Sequence, residues 1–468
     1  MGKLVQLREF QYLYQKKEFL EEQSNVENEK YYPLEKQAFE ELLEFVNQPS
    51  SAQVYPFLKT PKKNQRDEKT IMRVAYKKGY GKVIQAREFV GMIQLKCGYQ
   101  IEIMPKIHFF SEEESYEKTK KVFLRMLKCL LKIPSLSSGY GSLGEEKLTL
   151  YELFISSYLS EVNKLVKRGI KYNYITKEEN STYFKGKLLV NQHIRKNMCH
   201  KEKFYVAHDE FHPDRIENQI IKTTLLYLKN KVKTSKNRRM IRHLLLYFDQ
   251  VSVSDDWKSD FCRIEKSRSM KHYNVLLNWS RVFLSNRSFS VFSGENESYA
   301  ILFPMETVYE QYVAYYMKKY WWANGIDVRI QDEKYLFEKG MARNVEETDM
   351  ELSSMFKIRP DIVCEKDGSV VIMDTKWKLL NSIRSMNFNI EQSDVYQMCV
   401  YAQRYKAKEV WLLYPYSYTI GREYMYFSKN QDGTSFNLGI YFIDLVNIEK
   451  SMQTLKELAF PETSETIG

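Results

Sequence analysis

Residues 358–376 read IRPDIVCEKDGSVVIMDTK, and this stretch decides the fold of the C-terminal third of the chain. Two runs rich in β-branched residues flank Asp367-Gly368, a dipeptide that strongly favours a two-residue hairpin loop. If this loop forms, Asp361 faces Asp374 when the residues are counted outwards from it. Lys376 lies two residues beyond Asp374 and therefore points to the same side. The sequence thus predicts a hairpin that brings two carboxylates and one ammonium group together.

This arrangement suits a metal-dependent hydrolase. Like charges that face each other across a hairpin destabilise it unless something such as a divalent cation compensates. Hard oxygen ligands favour Mg²⁺, which Mn²⁺ can replace, so Asp361 and Asp374 are candidate metal ligands for phosphodiester hydrolysis. Lys376 would position the nucleophile or stabilise the pentavalent phosphate. In a structural alternative, Asp361 caps a turn and Asp374 forms an exposed ion pair with Lys376. The three residues alone leave both interpretations open.

Two neighbouring segments favour the catalytic interpretation. Gln397 and Tyr401 are spaced i and i+4 on a helix predicted directly after the hairpin region. Upstream, a helix predicted over 305–317 carries Glu310, a third carboxylate that such a site can use, although a plain surface acid fits the pattern equally well. The candidate catalytic residues are therefore Asp361, Asp374, Lys376, Gln397, Tyr401 and Glu310.

The composition indicates a globular protein with several domains. The chain has 468 residues, about three times an ordinary domain, and 43% of them are apolar, enough for packed cores. No apolar run is long enough to span a membrane, and the six cysteines form no C-x-x-C pair. We therefore expect a cytoplasmic protein without membrane contact, disulfide framework or thiolate zinc site. The formal charge of +11 agrees with a polyanionic partner without identifying one.

Hydrophobic periodicity divides the chain into four segments. The N-terminal region 1–112 is predicted to be β-rich. It contains a predicted helix at 32–46, followed by short strands between Gly-containing turns. A 3.6-residue period predicts a central, mostly helical region for partner docking over 113–292. Helices and strands alternate over 293–450, and 451–468 is left as a C-terminal tail.

Other motifs do not have the context that their function requires. Gly139–Gly144 matches G-x-G-x-x-G but follows a Ser-rich linker instead of an apolar strand, so a dinucleotide site is not expected. His208 and His212 are spaced as in a metalloprotease helix, but Pro213 disfavours helical geometry there. A pair of surface or core histidines is therefore expected. No Walker-type phosphate loop occurs, so the chain is expected to bind no nucleotide itself.

Two basic runs are candidate contacts to a partner or to DNA. Lys59–Lys82 contains nine basic residues and two acidic ones, and Lys229–Arg242 contains seven basic residues and no acidic one. A solvated surface is the more common explanation for either run alone. The arginines of interest are Arg66, Arg73, Arg238 and Arg239.

Taken together, the catalytic candidates resemble a known nuclease pattern. Pro360-Asp361, Asp374-Thr375-Lys376 and Gln397-x-x-x-Tyr401 are similar to the PD-(D/E)xK pattern with the Q-x-x-x-Y helix of its RecB-like branch. Central segments extend the resemblance to the McrC family, the nuclease subunits of McrBC-type restriction systems. These segments are Arg168–Tyr174, Phe184–Leu188, Asp209–Phe211 and Asn218–Lys222. They have no catalytic logic of their own, which makes their joint presence specific.

The resemblance implies a fold and a set of roles. The fold is an α+β multidomain protein whose C-terminal domain is a restriction-endonuclease-like α/β fold with a mixed central sheet. The activity is Mg²⁺-dependent cleavage of double-stranded DNA. Asp361 and Asp374 are the implied metal ligands, Lys376 is the catalytic lysine, and Gln397 and Tyr401 support the site or the DNA. The role of Glu310 is less regular in the family.

The resemblance also implies a partner, a GTP-hydrolysing AAA+ ring of the McrB type. Such subunits stimulate the partner's GTPase, and Arg66 or Arg73 is a candidate for supplying charge to that site in trans. Complexes are expected to associate for double-strand cleavage. Two alternatives remain: a non-catalytic bridging or GTPase-activating subunit, and a stand-alone DNA repair nuclease.

Overall fold

The computed structural model describes residues 3–16, 31–47, 71–107, 112–131, 149–264, 271–285, 299–343, 349–380, 390–417, 424–428 and 436–461. Its N-terminal part contains β1 (Leu4–Arg8), β2 (Tyr12–Gln15), β3 (Tyr31–Leu34), α1 (Lys36–Asn47), β4 (Met72–Lys77), β5 (Gly81–Ala86), β6 (Phe89–Gln94), β7 (Gln100–Met104) and α2 (Glu112–Leu131). The central part contains α3 (Leu150–Arg168), β8 (Asn173–Ser181), β9 (Lys187–Leu188), α4 (Val190–Asn197), β10 (Phe204–His212), α5 (Ile216–Lys229), α6 (Ser235–Leu246), α7 (Trp257–Arg263) and α8 (Lys271–Ser285). The C-terminal part contains β11 (Tyr299–Pro304), α9 (Met305–Trp321), β12 (Asp327–Ile330), β13 (Lys334–Arg343), β14 (Asp349–Ile358), β15 (Ile362–Lys366), β16 (Ser369–Thr375), α10 (Gln392–Tyr405), β17 (Glu409–Pro415), β18 (Tyr424–Ser428), β19 (Asn437–Ile443) and α11 (Ile448–Ala459).

The described residues form two compact units. The first unit takes its members from Met1–Ser50, Asn64–Lys132 and Ile301–Gly468, so it joins the two ends of the sequence. The second unit takes its members from Ile133–Ala300. Whether the four segments predicted from the sequence behave as separate domains stays a prediction. Among the helices described, none is both long and apolar enough to cross a bilayer.

Two four-stranded sheets in the first unit contain the N-terminal strands, in the orders β3-β2-β5-β4 and β1-β7-β6-β11. Strand β11 follows the whole central part in sequence, yet it lies beside β6. Gly91 on β6 permits this approach because it has φ +138°, and a Cβ there would stand 2.1 Å from the carbonyl oxygen of Ile301. The N-terminal sheet is therefore completed by a strand from the C-terminal part.

A six-stranded mixed sheet of order β12-β15-β16-β17-β19-β18 forms the centre of the C-terminal part. The β16, β17 and β19 strands run parallel to one another, whereas β12, β15 and β18 pair antiparallel with their neighbours. The middle strands are buried on both faces, as their continuous apolar runs require. Helix α10 packs on one face, where Met398 and Tyr401 meet Ile372 and Leu412. Helices α9 and α11 pack against the sheet strands and each other.

The second unit contains helices α3 to α8 and a small sheet of order β8-β10-β9. The hydroxyl groups of Tyr158 and Ser280 lie 2.9 Å apart and join α3 to α8. Asn218 on α5 donates to the carbonyl oxygens of Lys171 (2.8 Å) and Pro213 (2.7 Å), and its own oxygen accepts from Tyr273 (2.8 Å). These hydrogen bonds hold the ends of β8 and β10 to the helices.

Most elements expected from periodicity are present, with three corrections. Residues 31–34 form strand β3, so the first helix begins later than predicted, at Lys36. The region 113–292 contains the β8-β10-β9 sheet among its helices. These strands were missed because the described side chains of β8 are mostly exposed and those of β10 mostly half-buried, so neither strand shows a clear apolar alternation. Residues 451–459, predicted as part of a tail, continue helix α11.

Candidate active site

The predicted hairpin is present with the predicted register. Asp367 and Gly368 both have positive φ, 49° and 76°, as a two-residue turn of this type requires. Lys366 pairs with Ser369, and the pairing continues without a bulge to the end of β15. Asp361 directly precedes β15 and thereby comes opposite the Asp374 end of β16.

Asp361 is held in place by the strand that it faces. Its Oδ2 accepts hydrogen bonds from the backbone N–H of Thr375 (2.8 Å) and from the Thr375 hydroxyl (2.7 Å). Its carbonyl oxygen accepts from the backbone N–H of Gln331 (2.7 Å). These contacts fix both the main chain and the carboxylate of Asp361.

Lys376 is surrounded by three acceptors. Its Nζ lies 2.7 Å from Oδ2 of Asp374, 3.0 Å from Oε1 of Gln397 and 3.2 Å from Oδ1 of Asp394. Its backbone N–H donates to the carbonyl oxygen of Leu413 on the neighbouring parallel strand (2.9 Å). Side chains therefore orient the ammonium group of Lys376, and the sheet holds the main chain of the same residue.

Gln397 and Tyr401 lie on α10, one turn apart, as predicted. Gln397 Nε2 donates to the Tyr401 hydroxyl (2.7 Å), which in turn donates to the carbonyl oxygen of Arg359 (3.2 Å). A continuous chain of hydrogen bonds thus runs from Lys376 through both residues to the main chain just before Asp361.

Glu310 lies on α9 and is near the two aspartates without completing a metal cluster. Its Oε1 accepts from Gln331 Nε2 (2.6 Å), the same residue whose backbone contacts Asp361. Burial raises the pKa of Glu310, and the Asp374 carboxylate adds to the increase. Within the described ranges, no three His, Cys, Asp or Glu side chains come together as a metal-holding group. The candidate metal ligands in this structure are therefore Asp361 and Asp374.

Electrostatics mark the aspartate pair as unusual. Burial raises the pKa of Asp361 to about 6, and the charge of Glu310 contributes. Burial, followed by the charge of Asp361, raises the pKa of Asp374 to about 7. For Lys376, burial lowers the pKa, but Asp374 and Asp394 outweigh it and raise the pKa overall. Clustered carboxylates with raised pKa values are typical of functional sites.

Sequence reasoning missed Asp394. Its side chain is buried and contacts both Lys376 (3.2 Å) and Lys378 (3.1 Å). The signal was present, because Asp394, Gln397 and Tyr401 are spaced i, i+3 and i+7 and so share one helix face. Asp394 thus joins two lysines that follow β16 to α10.

The basic candidates lie elsewhere. Arg73 is exposed on β4, in a sheet that does not contain the hairpin. Arg238 and Arg239 are exposed on α6 in the second unit. Arg66 and the Gly139–Gly144 motif lie outside the described residues.

The histidine pair and parts of three family-like segments lie in the second unit's sheet, whereas Asn218–Lys222 lies on α5. His208 and His212 are on strand β10, where an i, i+4 pair stands about 13 Å apart, so the expectation of no metalloprotease helix is confirmed. The rings of Tyr172 and Tyr174 lie 4.9 and 5.1 Å from that of Phe211. These three exposed side chains are called the aromatic surface below.

Comparison with known proteins places the chain in a family. Residues 84–415 match the family model described as "McrBC 5-methylcytosine restriction system component". The chain belongs to the McrBC family. The resemblance to McrC inferred from the motifs is thereby confirmed, and the matched range of this McrBC family member contains all six catalytic candidates. Among curated proteins, no sequence matches the chain significantly.

Solved structures of McrBC assemblies match this chain, and the first of the two described here shares the fold. One match is the refined half-complex from a tetradecameric assembly of Thermococcus gammatolerans McrB AAA+ hexamers with bound McrC, with TM-score 0.69 and 18% identity. It covers 97% of this chain and 100% of that chain. Another is the cryo-EM structure of the Thermococcus gammatolerans McrBC complex, with TM-score 0.47, 19% identity and coverage of 67% and 86%. In the first match, the shared fold covers nearly the whole of this McrBC family chain.

Proposed function

We propose that this chain is the Mg²⁺-dependent DNA endonuclease subunit of an McrBC-type restriction complex. In this proposal it hydrolyses phosphodiesters of double-stranded DNA when assembled with a GTP-hydrolysing, McrB-like AAA+ partner. The observation that carries the proposal is the convergence of Asp361, Asp374 and Lys376 at one end of a hairpin, with Gln397 and Tyr401 bracing them. This arrangement agrees with a PD-(D/E)xK nuclease centre.

The residues present fit a divalent cation. Asp361 and Asp374 are two hard oxygen donors, and Mg²⁺ is commonly held by one or two carboxylates and waters. The cost of burying these charges beside each other is one that a cation would offset. When bound, Mg²⁺ or Mn²⁺ lowers the pKa of a coordinated water and neutralises charge on the phosphate. Glu310 is a third donor only if it leaves Gln331.

The remaining residues orient the reacting groups. Lys376 presents an ammonium group that stabilises negative charge developing on the phosphate. Asp394 and Gln397 restrict its position from the helix side. Tyr401 connects Gln397 to the main chain before Asp361, which keeps the lysine and the aspartates in a fixed relation.

The aromatic surface of the second unit is a candidate contact site for the McrB-like partner. Three aromatic side chains clustered in solvent, as in the aromatic surface, are typical of protein contact sites. The related assembly contains McrB AAA+ hexamers with bound McrC, which supports a ring partner here. Because the sequence has no Walker-type loop, GTP hydrolysis is assigned to that partner.

Arg73 is the one trans-acting candidate that can be evaluated on the structure. It is exposed on β4 opposite Gln85, so Arg73→Ala is expected to leave the core intact. If Arg73 acts on the partner, this change lowers GTPase stimulation without affecting Mg²⁺ binding. Unchanged stimulation would remove Arg73 from the mechanism.

The test is reconstitution with the McrB-like GTPase. Modified and unmodified plasmids are incubated with the complex, GTP and Mg²⁺, and omission of partner or metal serves as control. We expect cleavage only in the complete mixture and none with Asp374→Asn. Normal GTPase stimulation without any cleavage would favour a bridging, GTPase-activating subunit. Vigorous cleavage by the chain alone would favour a repair nuclease.

A further inference from the structure

A buried carboxylate near the N-terminus contacts Trp377, the residue that follows Lys376. Glu9 follows strand β1 and is only 3% exposed. Its Oε1 and Oε2 lie 3.2 and 3.1 Å from the indole Nε1 of Trp377, which donates to them. Its Oε2 also accepts from the backbone N–H of Lys106 (2.9 Å). Glu9 thereby joins the ends of β1 and β7 to the residue directly after Lys376.

Lys106 closes the arrangement from the other side. Its Nζ donates to the carbonyl oxygen of Trp377 (2.9 Å), so both the main chain and the side chain of Trp377 are held. The Trp377 ring also packs on Tyr309 of α9, with ring centroids 5.3 Å apart. Glu9, Lys106 and Trp377 form what we call the Trp377 bridge.

Packing alone does not account for these residue types. Burial raises the pKa of Glu9 to about 7, despite the opposing charge of Lys106, so burying this carboxylate carries an electrostatic cost. An apolar residue would fill the same space without that cost. What a hydrogen-bonded bridge adds is a fixed orientation, because each bond holds only at a narrow distance and angle.

The bridge acts where the catalytic lysine leaves the sheet. The backbone of Lys376 is still bonded to Leu413 of β17, whereas residue 377 lies beyond the end of β16. Without the bridge, the sheet would hold the Lys376 main chain on only one side. Lys106 and Trp377 lie within the matched family range of 84–415, whereas Glu9 lies outside it, so one member of the bridge comes from a part of the chain that the family match does not include.

We propose that Glu9, Lys106 and Trp377 are positioning residues that fix the main chain at Lys376, making the β1-β7-β6-β11 sheet a structural part of the nuclease centre. The inference rests on the proposed function. It assigns no chemical step to the bridge, which acts through Lys376. The bridge therefore controls the rate of the chemical step and leaves the metal ligands and the DNA contacts in place.

The test compares Trp377→Phe with a matched control. Trp377→Phe keeps an aromatic ring and removes the indole N–H. Trp321→Phe removes a similar buried bond in the same unit, from Trp321 Nε1 to the carbonyl oxygen of Met452 (2.9 Å), away from the catalytic strand. Glu9→Ala and Glu9→Gln complete the set, since Gln retains one acceptor. Each variant is assayed in the assembled complex, below its own melting temperature.

We expect Trp377→Phe and Glu9→Ala to lower kcat for plasmid cleavage by roughly tenfold to a hundredfold, the scale seen when partners that orient site residues are lost. KM for DNA and Mn²⁺ affinity by calorimetry should stay within about twofold, because ground-state binding is untouched. Glu9→Gln should recover most of the lost kcat. Trp321→Phe should keep the wild-type kcat even if its melting temperature falls.

Two results would overturn the proposal. One is an equal kcat for Trp377→Phe and Trp321→Phe, and the other is a kcat that follows melting temperature across all four variants. Lys376→Ala in the same assay distinguishes failure of the proposed nuclease function from failure of the Trp377 bridge. If Lys376→Ala cleaves at the wild-type rate, the proposed function fails. If Lys376→Ala is inactive while Trp377→Phe is normal, only the bridge fails.

Discussion

Buried carboxylates at two sites in this molecule have different partners: one site holds Glu152 alone, and the other holds Asp361 and Asp374. In the second unit, Glu152 accepts hydrogen bonds from the Thr234 hydroxyl (2.8 Å), the Asn237 amide (2.7 Å) and the backbone N–H of Lys233. All of these donors are neutral. In the hairpin site, Asp374 has a lysine on one side and the carboxylate of Asp361 on the other.

Under the proposed function, the difference separates a structural carboxylate from carboxylates with a chemical role. A buried carboxylate surrounded by neutral donors ties helix α3 to the start of α6, and nothing further is needed to explain it. At the hairpin site, burial raises the pKa of both Asp361 and Asp374, and the charge of Asp361 raises that of Asp374 further, so burying these carboxylates carries an electrostatic cost. Under the proposed function, a bound cation would offset the penalty at the second site.

The sharpest way to break this comparison is Asp374→Asn. The change keeps the side-chain shape and removes one ligand charge, so metal affinity and cleavage should fall together by more than about a hundredfold. Calorimetry with Mn²⁺ and plasmid cleavage by the assembled complex measure the two effects. Thermal unfolding serves as the control for folding, and wild-type cleavage by this variant would end the assignment.

Lys376→Ala should separate chemistry from metal binding. Both metal ligands remain, so Mn²⁺ affinity should persist while cleavage falls by about a hundredfold through loss of a preorganised charge. Partner GTPase activity should be unaffected. If metal binding disappears as well, Lys376 organises the aspartates instead of acting on the phosphate.

Glu152→Ala should show the opposite behaviour. It leaves buried donors on Thr234 and Asn237 without an acceptor, which costs about 1–3 kcal/mol of unfolding free energy. Urea denaturation measures this loss, with Glu152→Gln as the milder control. Mn²⁺ affinity should be unchanged, and a specific loss of metal binding would erase the distinction between the two sites.

The smallest expected effect is a pH dependence of stability in metal-free buffer. Asp361 and Asp374 have folded-state pKa values of about 6 and about 7, above the ordinary value of about 4. The folded state therefore binds these protons more tightly, so their contribution to stability is full below about pH 4 and is lost as pH rises through 6 and 7.

The melting temperature of the wild type minus that of Asp374→Asn should therefore decrease between pH 4.5 and 8. Added Mg²⁺ at pH 8 should stabilise the wild type and not the variant. A difference that stays constant with pH would contradict the raised pKa values.

The hairpin could be predicted from sequence because its information is local. Asp367-Gly368 selects the turn, and the turn sets the register that brings Asp361 opposite Asp374. The spacing of Gln397 and Tyr401 likewise predicted that both lie on one helix face.

The sheet of the second unit could not be predicted in this way. The described side chains of β8 are mostly exposed and those of β10 mostly half-buried, so no clear apolar alternation distinguishes these strands from loops. The segments around Lys171 and Asn218 were specific to a family but had no visible purpose. The structure supplies one, since Asn218 bonds to the main chain at Lys171 and Pro213.

By itself, the sequence determined the turn, the register and the residue types of the candidate site, because those depend on interactions within a few residues. Only the tertiary structure decided what surrounds that site. Glu9 and Trp377 are separated by 368 positions, and no periodicity connects them. Their contact depends on packing summed over many strands, since β11 must complete the N-terminal sheet beside Gly91. Such long-range pairing is a property of the whole fold, and local patterns do not encode it.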